Sequence, residues 1–284
     1  MEGGFRGWRR RFTILAKLLV RTVKGLGDNF RLLGRRWTGG KALRQTNING
    51  YQMLIPVDED IGRQIYYSGE YEKNESTFVK ELLRETDVCF DVGANVGYYT
   101  LLMAAQARKG MVHSFEPIPF NYHLLCSSVL LNGFENVVPN CCALGNREGE
   151  CEFAVAKDSG LSSFVDTGRN PVTATRRVRV TTLDRYCAQQ RVERVDFLKI
   201  DVEGAEGLVL EGSRHILRDP NSRPRAILLE LFQPNLAKYG TQAEQLMGLL
   251  QAQGYRAFNY MHGRTVPVGK VDTGVHHNVF FLPA

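Results

Sequence analysis

The strongest constraint on the fold of this chain is a glycine-bearing turn between a short apolar run and a helical pattern. Residues 88–92 have the length of a buried strand, and the apolar spacing of residues 98–107 predicts a helix. Gly93 and Gly97 lie between them, and glycine lets a ligand approach the backbone closely. The turn therefore predicts a backbone cradle for a polar or anionic ligand group. The two glycines are separated by three residues, a spacing that differs from the G-x-G-x-x-G dinucleotide fingerprint. An acid, Asp91, lies two residues before the first glycine.

Two later strand ends are expected to complete this site. The apolar run at residues 111–115 ends in Glu116, which lies 23 residues beyond Gly93. Nucleotide-binding folds place an acid at about this offset, roughly 20 residues, to accept hydrogen bonds from ribose hydroxyls. A helix-start acid is the alternative interpretation of Glu116. After a helix over residues 119–131, a third strand is expected from Val137 to near residues 140–144, and the loop after it should border a bound adenine.

Acidic residues follow the buried strand pattern of residues 195–200. Ligands of open α/β sheets bind at the carboxyl ends of the strands, so we expect Asp201 and Glu203 to lie across from Asp91 and Gly93. Glu206 suits a helix-capping role. The remaining pattern predicts a helix, a strand, a helix and two strands over residues 207–217, 225–231, 242–253, 255–260 and 278–282.

One polar stretch precedes these elements, and another lies between them. Residues 46–72 contain turn signals such as Asn49-Gly50 and predict short strands or a hairpin, with a helix after them over residues 76–83. Tyrosines and acids crowd the end of this stretch, where they either line a pocket or lie on the surface. The stretch at residues 159–175 predicts an exposed insertion.

The positive charge of the chain is concentrated in residues 1–44. This segment holds twelve Lys or Arg against Glu2 and Asp28, a net +10, while the remaining twenty-four Lys or Arg and twenty-eight Asp or Glu give −4. Nucleic-acid binding requires a basic face on the folded domain, so we expect no nucleic-acid partner. Residues 8–24 predict a basic amphipathic helix, too interrupted by Lys and Arg to span a membrane. It is expected on an anionic membrane surface, packed on the protein body, or as a flexible arm.

Cysteine and histidine usage gives no sign of a metal site. The six cysteines include no C-x-x-C pair, which favours buried, reduced thiols in a cytosolic protein. His276 and His277 have no third ligand in the pattern around them. From the residues alone we therefore expect no bound metal and a cytoplasmic location.

Taken together, several motifs resemble the FkbM-type methyltransferases: FDVGANVGYYT at residues 90–100, FEP at 115–117, ALG at 143–145 and LKIDVEGAE at 198–206, after a lead-in GEYE at 69–72. The resemblance covers residues 65–282. It implies a doubly wound α/β fold of class I, with seven strands, mostly parallel, and an antiparallel last strand. The expected organisation is an extension over residues 1–44, lead-in strands and helix over 45–86, and a methyltransferase domain over 87–284.

The resemblance also implies S-adenosylmethionine as cofactor and O-methylation of a hydroxyl on a sugar, glycan or natural product. The implied cofactor-binding residues are Glu72, Asp91, Gly93, Ala94, Asn95, Gly97, Thr100, Glu116, Pro117, Ala143, Leu144 and Asp201.

Asp201 and Glu203 are the expected catalytic acids. Alcohols ionise reluctantly, so a carboxylate that takes the hydroxyl proton should accelerate transfer by about two to four orders of magnitude. The sequence leaves open which of the two is the base, or whether they orient the cofactor's amino group instead. Two other interpretations remain: a divalent cation held by both acids, and a membrane-associated binding module without catalysis. A basic helix on the cytoplasmic face of the membrane would suit a lipid-linked or other amphiphilic acceptor.

Overall fold

The secondary structure alternates strands and helices along most of the chain. The computed structural model describes residues 41–270 and 277–284, so the helix predicted over residues 8–24 lies outside the described residues. In chain order the elements are β1 (Leu43–Ile48), β2 (Tyr51–Pro56), α1 (Asp60–Ser68), α2 (Lys73–Leu82), β3 (Val88–Val92), α3 (Tyr98–Gln106), β4 (Met111–Phe115), α4 (Pro119–Leu131), β5 (Val137–Asn140), β6 (Ala143–Leu144), β7 (Gly149–Ala156), β8 (Val172–Thr181), α5 (Leu183–Gln190), β9 (Phe197–Ile200), α6 (Glu206–Glu211), α7 (Arg214–Arg218), β10 (Ala226–Leu231), α8 (Gln233–Lys238), α9 (Ala243–Ala252), β11 (Tyr255–Met261), β12 (Arg264–Pro267) and β13 (His277–Pro283).

Eight strands form the central sheet, in the order β12-β11-β13-β10-β9-β3-β4-β5. The five strands from β10 to β5 run parallel to one another, and β13 runs antiparallel to both β10 and β11. The antiparallel last strand is therefore confirmed, but the prediction of seven strands is wrong. The eighth strand, β12, returns along β11 through His262 and Gly263, which both have positive φ. Such a two-residue turn matches the twist of a hairpin.

The order of the sheet places the switch point beside β3. The chain runs from β3 to β4 on one side, while β9 pairs with β3 on the other. Val92 lies opposite Ile200 in the parallel register, and the amide of Asp201 donates to the carbonyl of Val92 at 3.0 Å. The loops after β3 and β9 therefore meet at the carboxyl edge, where open α/β sheets bind ligands.

The lead-in residues pack against the same core. β1 and β2 form the hairpin that the Asn49-Gly50 signal predicted, and the amide of Leu54 donates to Ser128 of α4 at 3.0 Å. The next residues form helix α1, which the strand interpretation of residues 46–72 missed. Ile65 is fully buried on this helix, and Gly62 approaches the carbonyl oxygen of Pro56. The helix forms because its apolar face is covered by the hairpin and the core.

A smaller sheet of three strands, β6-β8-β7, lies beside the central one. The residues 140–144 expected as the end of a third strand are divided, because β5 belongs to the central sheet and β6 to the smaller one. Between β7 and β8 runs a segment that we call the strap, residues 157–171. Ser159, Ser162 and Ser163 of the strap are buried, so the prediction of an exposed insertion is wrong for this part. Its polar side chains bond to the protein body, which satisfies them without water.

The helix predicted over residues 207–217 is two helices, α6 and α7. The interruption falls at Gly212, where an added Cβ would lie 2.0 Å from the carbonyl oxygen of Gly145. Close backbone packing at this position explains the break. Among the helices that the structure describes, none has both the length and the apolar character needed to cross a membrane.

Candidate active site

A cleft of about 230 Å³ opens at the carboxyl ends of β3, β4 and β9. It brings together most of the residues singled out in the sequence, namely Asp91, Gly93, Ala94, Asn95, Glu116, Pro117, Ala143, Leu144, Asp201 and Glu203. Three others do not line this cleft in the described part of the chain and instead support residues that do: Glu72, Gly97 and Thr100.

The glycine turn packs directly on the loop after β9. Gly93 has a φ of +81°, and an added Cβ would lie 1.7 Å from the carbonyl oxygen of Asp201. Gly97 precedes α3 with a φ of +92°, and an added Cβ there would contact Leu125. Both positions need glycine, because each combines a positive φ with close packing that leaves no space for a Cβ.

Glu116 holds the turn from the end of β4. Its two carboxylate oxygens accept hydrogen bonds from the amides of Asn95 at 2.9 Å and Ile118 at 2.8 Å. Burial raises the pKa of Glu116 from its ordinary value of 4.5 to about 7. The side chain of Asn121 also bonds this carboxylate, and two carboxylate oxygens offer about four acceptor positions, so the group can still accept a hydroxyl hydrogen from a ligand.

Asp91 lies beneath the turn and is fully buried. Thr100 donates to its Oδ2 at 2.6 Å, and Lys199 Nζ lies 4.0 Å from its Oδ1. Burial raises the pKa of Asp91 above its ordinary value, against the lowering effect of Lys199. Thr100 is also buried, so it positions Asp91 rather than contacting a ligand in the cleft.

Lys199 is a buried cation at the centre of the site. Its ammonium donates to Asp201 Oδ2 at 2.8 Å and lies 5.0 Å above the ring of Tyr99. Burial disfavours the charge of Lys199, but Asp201, Asp91 and Glu72 outweigh that cost and raise its pKa above the ordinary value. The ammonium therefore stays charged and joins the loops after β3 and β9 electrostatically.

Glu72 reaches the same group of charges from the start of α2. Its backbone is left-handed, with a φ of +46°, and Tyr99 donates to its Oε2 at 2.7 Å. Burial, together with repulsion from Asp201, raises the pKa of Glu72 to about 7.

Glu203 is held at the strap side of the cleft. Arg169 of the strap and Asn235 of α8 both donate to its Oε2, at 2.5 and 2.6 Å. Its backbone φ is +56°, and Gly204 follows with a φ of +107°. Burial raises the pKa of Glu203 to about 8, although Arg169 acts in the opposite direction.

Glu206 was expected to cap the helix that it begins, but its side chain instead holds the loop before that helix. Its Oε1 accepts the amides of Val202 and Gly204 at 3.0 and 3.1 Å at the start of α6. Glu230, at the end of β10, lies closer to the centre of the site. One oxygen from each of Asp201, Glu203 and Glu230 can be chosen so that all three lie within 4.8 Å of one another.

Sequence reasoning missed two cations of the site. Lys199 interrupts an otherwise apolar strand. A charged residue in such a run indicates a buried partner of opposite charge, so the sequence did contain a signal for Lys199. Arg169 lies in a polar stretch, where nothing separates it from a solvated arginine.

The sheet order, the glycine turn after β3 and the acid after β4 define a class I methyltransferase-like α/β fold with a cofactor cleft at the switch point. A family model described as "Methyltransferase FkbM domain" matches residues 91–257, more than half of the chain. The chain therefore belongs to this methyltransferase family.

Three relatives with assigned names are similar to this chain. Methyltransferase sdnD of Sordaria araneosa is 25% identical over 71% of this chain and 88% of that protein. The 31-O-demethyl-FK506 methyltransferase FkbM of Streptomyces tacrolimicus is 26% identical over 46% of this chain and 60% of that protein. The hexuronic acid methyltransferase AglP of Haloferax volcanii is 27% identical over 61% of this chain and 70% of that protein.

The cofactor of this family is S-adenosylmethionine, and the residues of the cleft fit it. Gly93 lets the turn after β3 pack directly on the loop after β9 at the edge of the cleft, and Glu116 lines the cleft with both carboxylate oxygens held in place. Oδ1 of Asp91 is buried and has no hydrogen-bond partner among residues 41–270 and 277–284. An amine-bearing cofactor near this edge would meet a set of acids with a single buried lysine among them.

Proposed function

We propose that this chain O-methylates a hydroxyl group of a sugar, glycan or natural product, with S-adenosylmethionine as methyl donor. The names of two relatives support this acceptor class, since one is a 31-O-demethyl-FK506 methyltransferase and the other a hexuronic acid methyltransferase. The cleft also suits a hydroxyl acceptor, because carboxylates able to take a proton lie at its centre.

The roles that we propose for the cleft residues follow from their positions at the ends of the strands. Glu116 binds the ribose hydroxyls, and Ala143 and Leu144 border the adenine. Asp201 and Lys199 hold the end of the cofactor near β9. When bound, the cofactor supplies an electrophilic methyl group on a sulfonium, so the protein must hold the acceptor oxygen in line with that carbon.

Glu203 is the general base in this proposal. The observation that carries the assignment is position, because each acid has one oxygen bonded by a cation. Asp201 is bonded by Lys199 at 2.8 Å beside Asp91, on the side of the glycine turn, whereas Glu203 is buried at the strap side, where Arg169 and Asn235 hold Oε2. We assign Oε1 of Glu203 to the acceptor hydroxyl. Glu203 takes the proton as the acceptor oxygen bonds the methyl carbon and the carbon–sulfur bond breaks. Its pKa of about 8 is close to working pH, where a base is most effective.

The test is methyl transfer from labelled S-adenosylmethionine, with cell extracts first and the identified acceptor afterwards. Glu203→Gln should lower kcat by about 10²- to 10⁴-fold, the usual contribution of a general base, and leave cofactor affinity unchanged. Asp201→Asn should weaken cofactor binding as well as turnover. Glu244→Gln, an exposed acid on α9, is the control. Wild-type rates in Glu203→Gln would remove Glu203 as base, and no turnover in the unaltered chain would favour a binding module without catalysis.

Metal-assisted methyl transfer is the second candidate function, because Asp201, Glu203 and Glu230 each bring one oxygen within 4.8 Å of the others. A divalent cation there would lower the pKa of the acceptor hydroxyl. Two cations of the protein, Lys199 and Arg169, already bond to this group. We therefore expect turnover to survive dialysis against a chelator. Loss of activity that added Mg²⁺ restores would establish the metal-assisted version instead.

We further propose that residues 1–44 attach the enzyme to an anionic membrane surface. Their net charge of +10, against −4 for the rest, supports the proposal, since each cation near such a surface contributes about 1 kcal/mol. Vesicle co-sedimentation of the full chain and of a variant lacking residues 1–44 tests it. Binding should require anionic lipid, weaken with salt and be lost in the truncated variant. Equal sedimentation of the two proteins would contradict it.

A further inference from the structure

The strap crosses the cleft and is fastened on both sides. At its start, Asp158 accepts the amide of Asp60 at 2.6 Å, and Ser159 donates to Glu59 from its backbone and its hydroxyl. At the other side, Ser163 Oγ donates to the carbonyl oxygen of Glu203 at 2.9 Å. The strap thus connects the start of α1 with the loop after β9.

Between these fastenings the strap covers the glycine turn. An added Cβ on Gly160 would lie 2.7 Å from Nδ2 of Asn95, so the two segments are in close contact. Gly160, Leu161 and Phe164 line the cleft together with the turn. The strap is therefore a wall of the site and not a peripheral loop.

Arg169 connects this wall to the carboxylate of Glu203. Its guanidinium donates to Oε2 at 2.5 Å and stacks over the ring of Phe232, 5.0 Å from the ring centroid. Asn235 approaches the same oxygen from α8. Three separate parts of the fold, the strap, the loop after β9 and α8, therefore converge on a single carboxylate oxygen.

The backbone of Glu203 makes such support necessary. A non-glycine residue with a φ of +56° is held in a sparsely populated conformation, which persists only where its surroundings fix it. Gly204 follows in close contact with the carbonyl of Asn235 and the ring of Tyr239. Ser163 holds the main chain of Glu203, and Arg169 holds its side chain.

We propose that Arg169 is a positioning residue for methyl transfer: it fixes Glu203 with Oε1 toward the acceptor, so that the base is in place only while the strap closes the cleft. The inference rests on the proposed function, in which Glu203 takes the proton. Arg169 does not touch the reacting atoms in this arrangement and acts only through the carboxylate that it orients.

The charges around Glu203 determine what loss of Arg169 does to it. The facing groups are Arg169 from the strap, Asp201 and Glu206 from its own loop, and Glu230 from the end of β10. Arg169 is the cation among them that bonds to Glu203, so removing it leaves three acids and burial acting together. The pKa of Glu203 should therefore rise further in Arg169→Gln.

The first experiment needs no acceptor. In protein labelled with ¹³C at the glutamate carboxyl, the Glu203 signal is assigned by its absence in Glu203→Gln and then titrated. Arg169→Gln should move its midpoint to higher pH, and Arg169→Lys should restore part of the shift. Arg177→Gln, which removes an exposed arginine of β8 that lies 3.8 Å from Glu150, is the matched control and should leave the curve unchanged. Identical titrations of the wild type and Arg169→Gln would overturn the proposal.

The second experiment measures turnover on the identified acceptor. Displacement of a reacting group by about 1 Å costs roughly 10²-fold, so kcat in Arg169→Gln should fall by about 10- to 100-fold. The KM for S-adenosylmethionine should not change, because Ser163 and Asp158 still fasten the strap. A rise in this KM with unchanged kcat would overturn the positioning role. No methyl transfer by the wild-type chain would refute the proposed function, while the titration would still decide whether Arg169 controls Glu203.

Discussion

Replacing Gly93 by alanine tests the contact on which the whole site depends. An added Cβ would lie 1.7 Å from the carbonyl oxygen of Asp201, and real Cβ atoms essentially never come closer than 3.0 Å to such a neighbour. The two loops would therefore have to separate by at least 1.3 Å, the difference between these distances. A misplacement of about 1 Å at a reacting centre costs roughly 10²-fold in rate. We expect Gly93→Ala to lose at least this factor in kcat/KM and to bind S-adenosylmethionine more weakly by calorimetry.

Gly133→Ala is the matched control for backbone strain. Gly133 has a φ of +66°, close to the +81° of Gly93, but an added Cβ there meets nothing within 4 Å. Both variants should lose about 1–2 kcal/mol from left-handed backbone alone, a fall of roughly 2–4 °C in Tm per kcal/mol. Only Gly93→Ala should also lose cofactor binding and rate. If both variants bind the cofactor as the wild type does, the two loops do not need to approach each other as closely as this reasoning requires.

The remaining predictions concern three polar groups. Glu116→Gln should weaken binding of S-adenosylmethionine by about 1.5–3 kcal/mol, because charged hydrogen bonds to the ribose are lost; unchanged calorimetric affinity would contradict the ribose role. Because the pKa of Glu116 is raised from 4.5 to about 7, its contribution to stability is complete below pH 4.5 and is lost as pH rises through 7. Urea midpoints between pH 5 and 8 should therefore fall less in Glu116→Gln than in the wild type. Thr100→Val should cost about 1–3 kcal/mol by leaving Oδ2 of Asp91 unsatisfied, whereas Thr181→Val should cost little, since its buried hydroxyl has no partner among the described residues. The rate should rise with pH through about 8 as Glu203 loses its proton, and this limb should disappear in Glu203→Gln.

The central part of the fold could be predicted because its signals are local. Residues 88–92, 111–115 and 119–131 form the elements expected over those positions. Each strand is an apolar run that ends in a turn, and the helix starts at a proline, so each boundary lies in a few neighbouring residues. The cleft acids were also predictable, because parallel strands bring their carboxyl ends to one edge.

The missed features depend on contacts between distant parts of the chain. Helix α1 forms against a hairpin whose packing cannot be read from residues 60–68 alone. Arg169 meets Glu203 across 34 residues of sequence, and polarity around Arg169 is the same as in a solvated loop. The eighth strand follows a turn at His262 and Gly263, which lacks the Asn-Gly or Asp-Gly pair that marks such hairpins most clearly.

The acids of the site also explain why it contains two cations, of which Lys199 is buried and Arg169 is partly exposed. Burial, with repulsion from Asp201, raises the pKa of Glu72 to about 7 and that of Glu203 to about 8, while Lys199 lowers the first and Arg169 the second. Loss of either cation would therefore favour the protonated acid further. Lys199 acts on the cofactor side, through Asp201 and Asp91, and Arg169 acts on the strap side, through Glu203. The first cation belongs to a strand of the central sheet and is fixed with the core. The second belongs to a segment held by side-chain hydrogen bonds, so the protonation and orientation of Glu203 depend on the position of the strap.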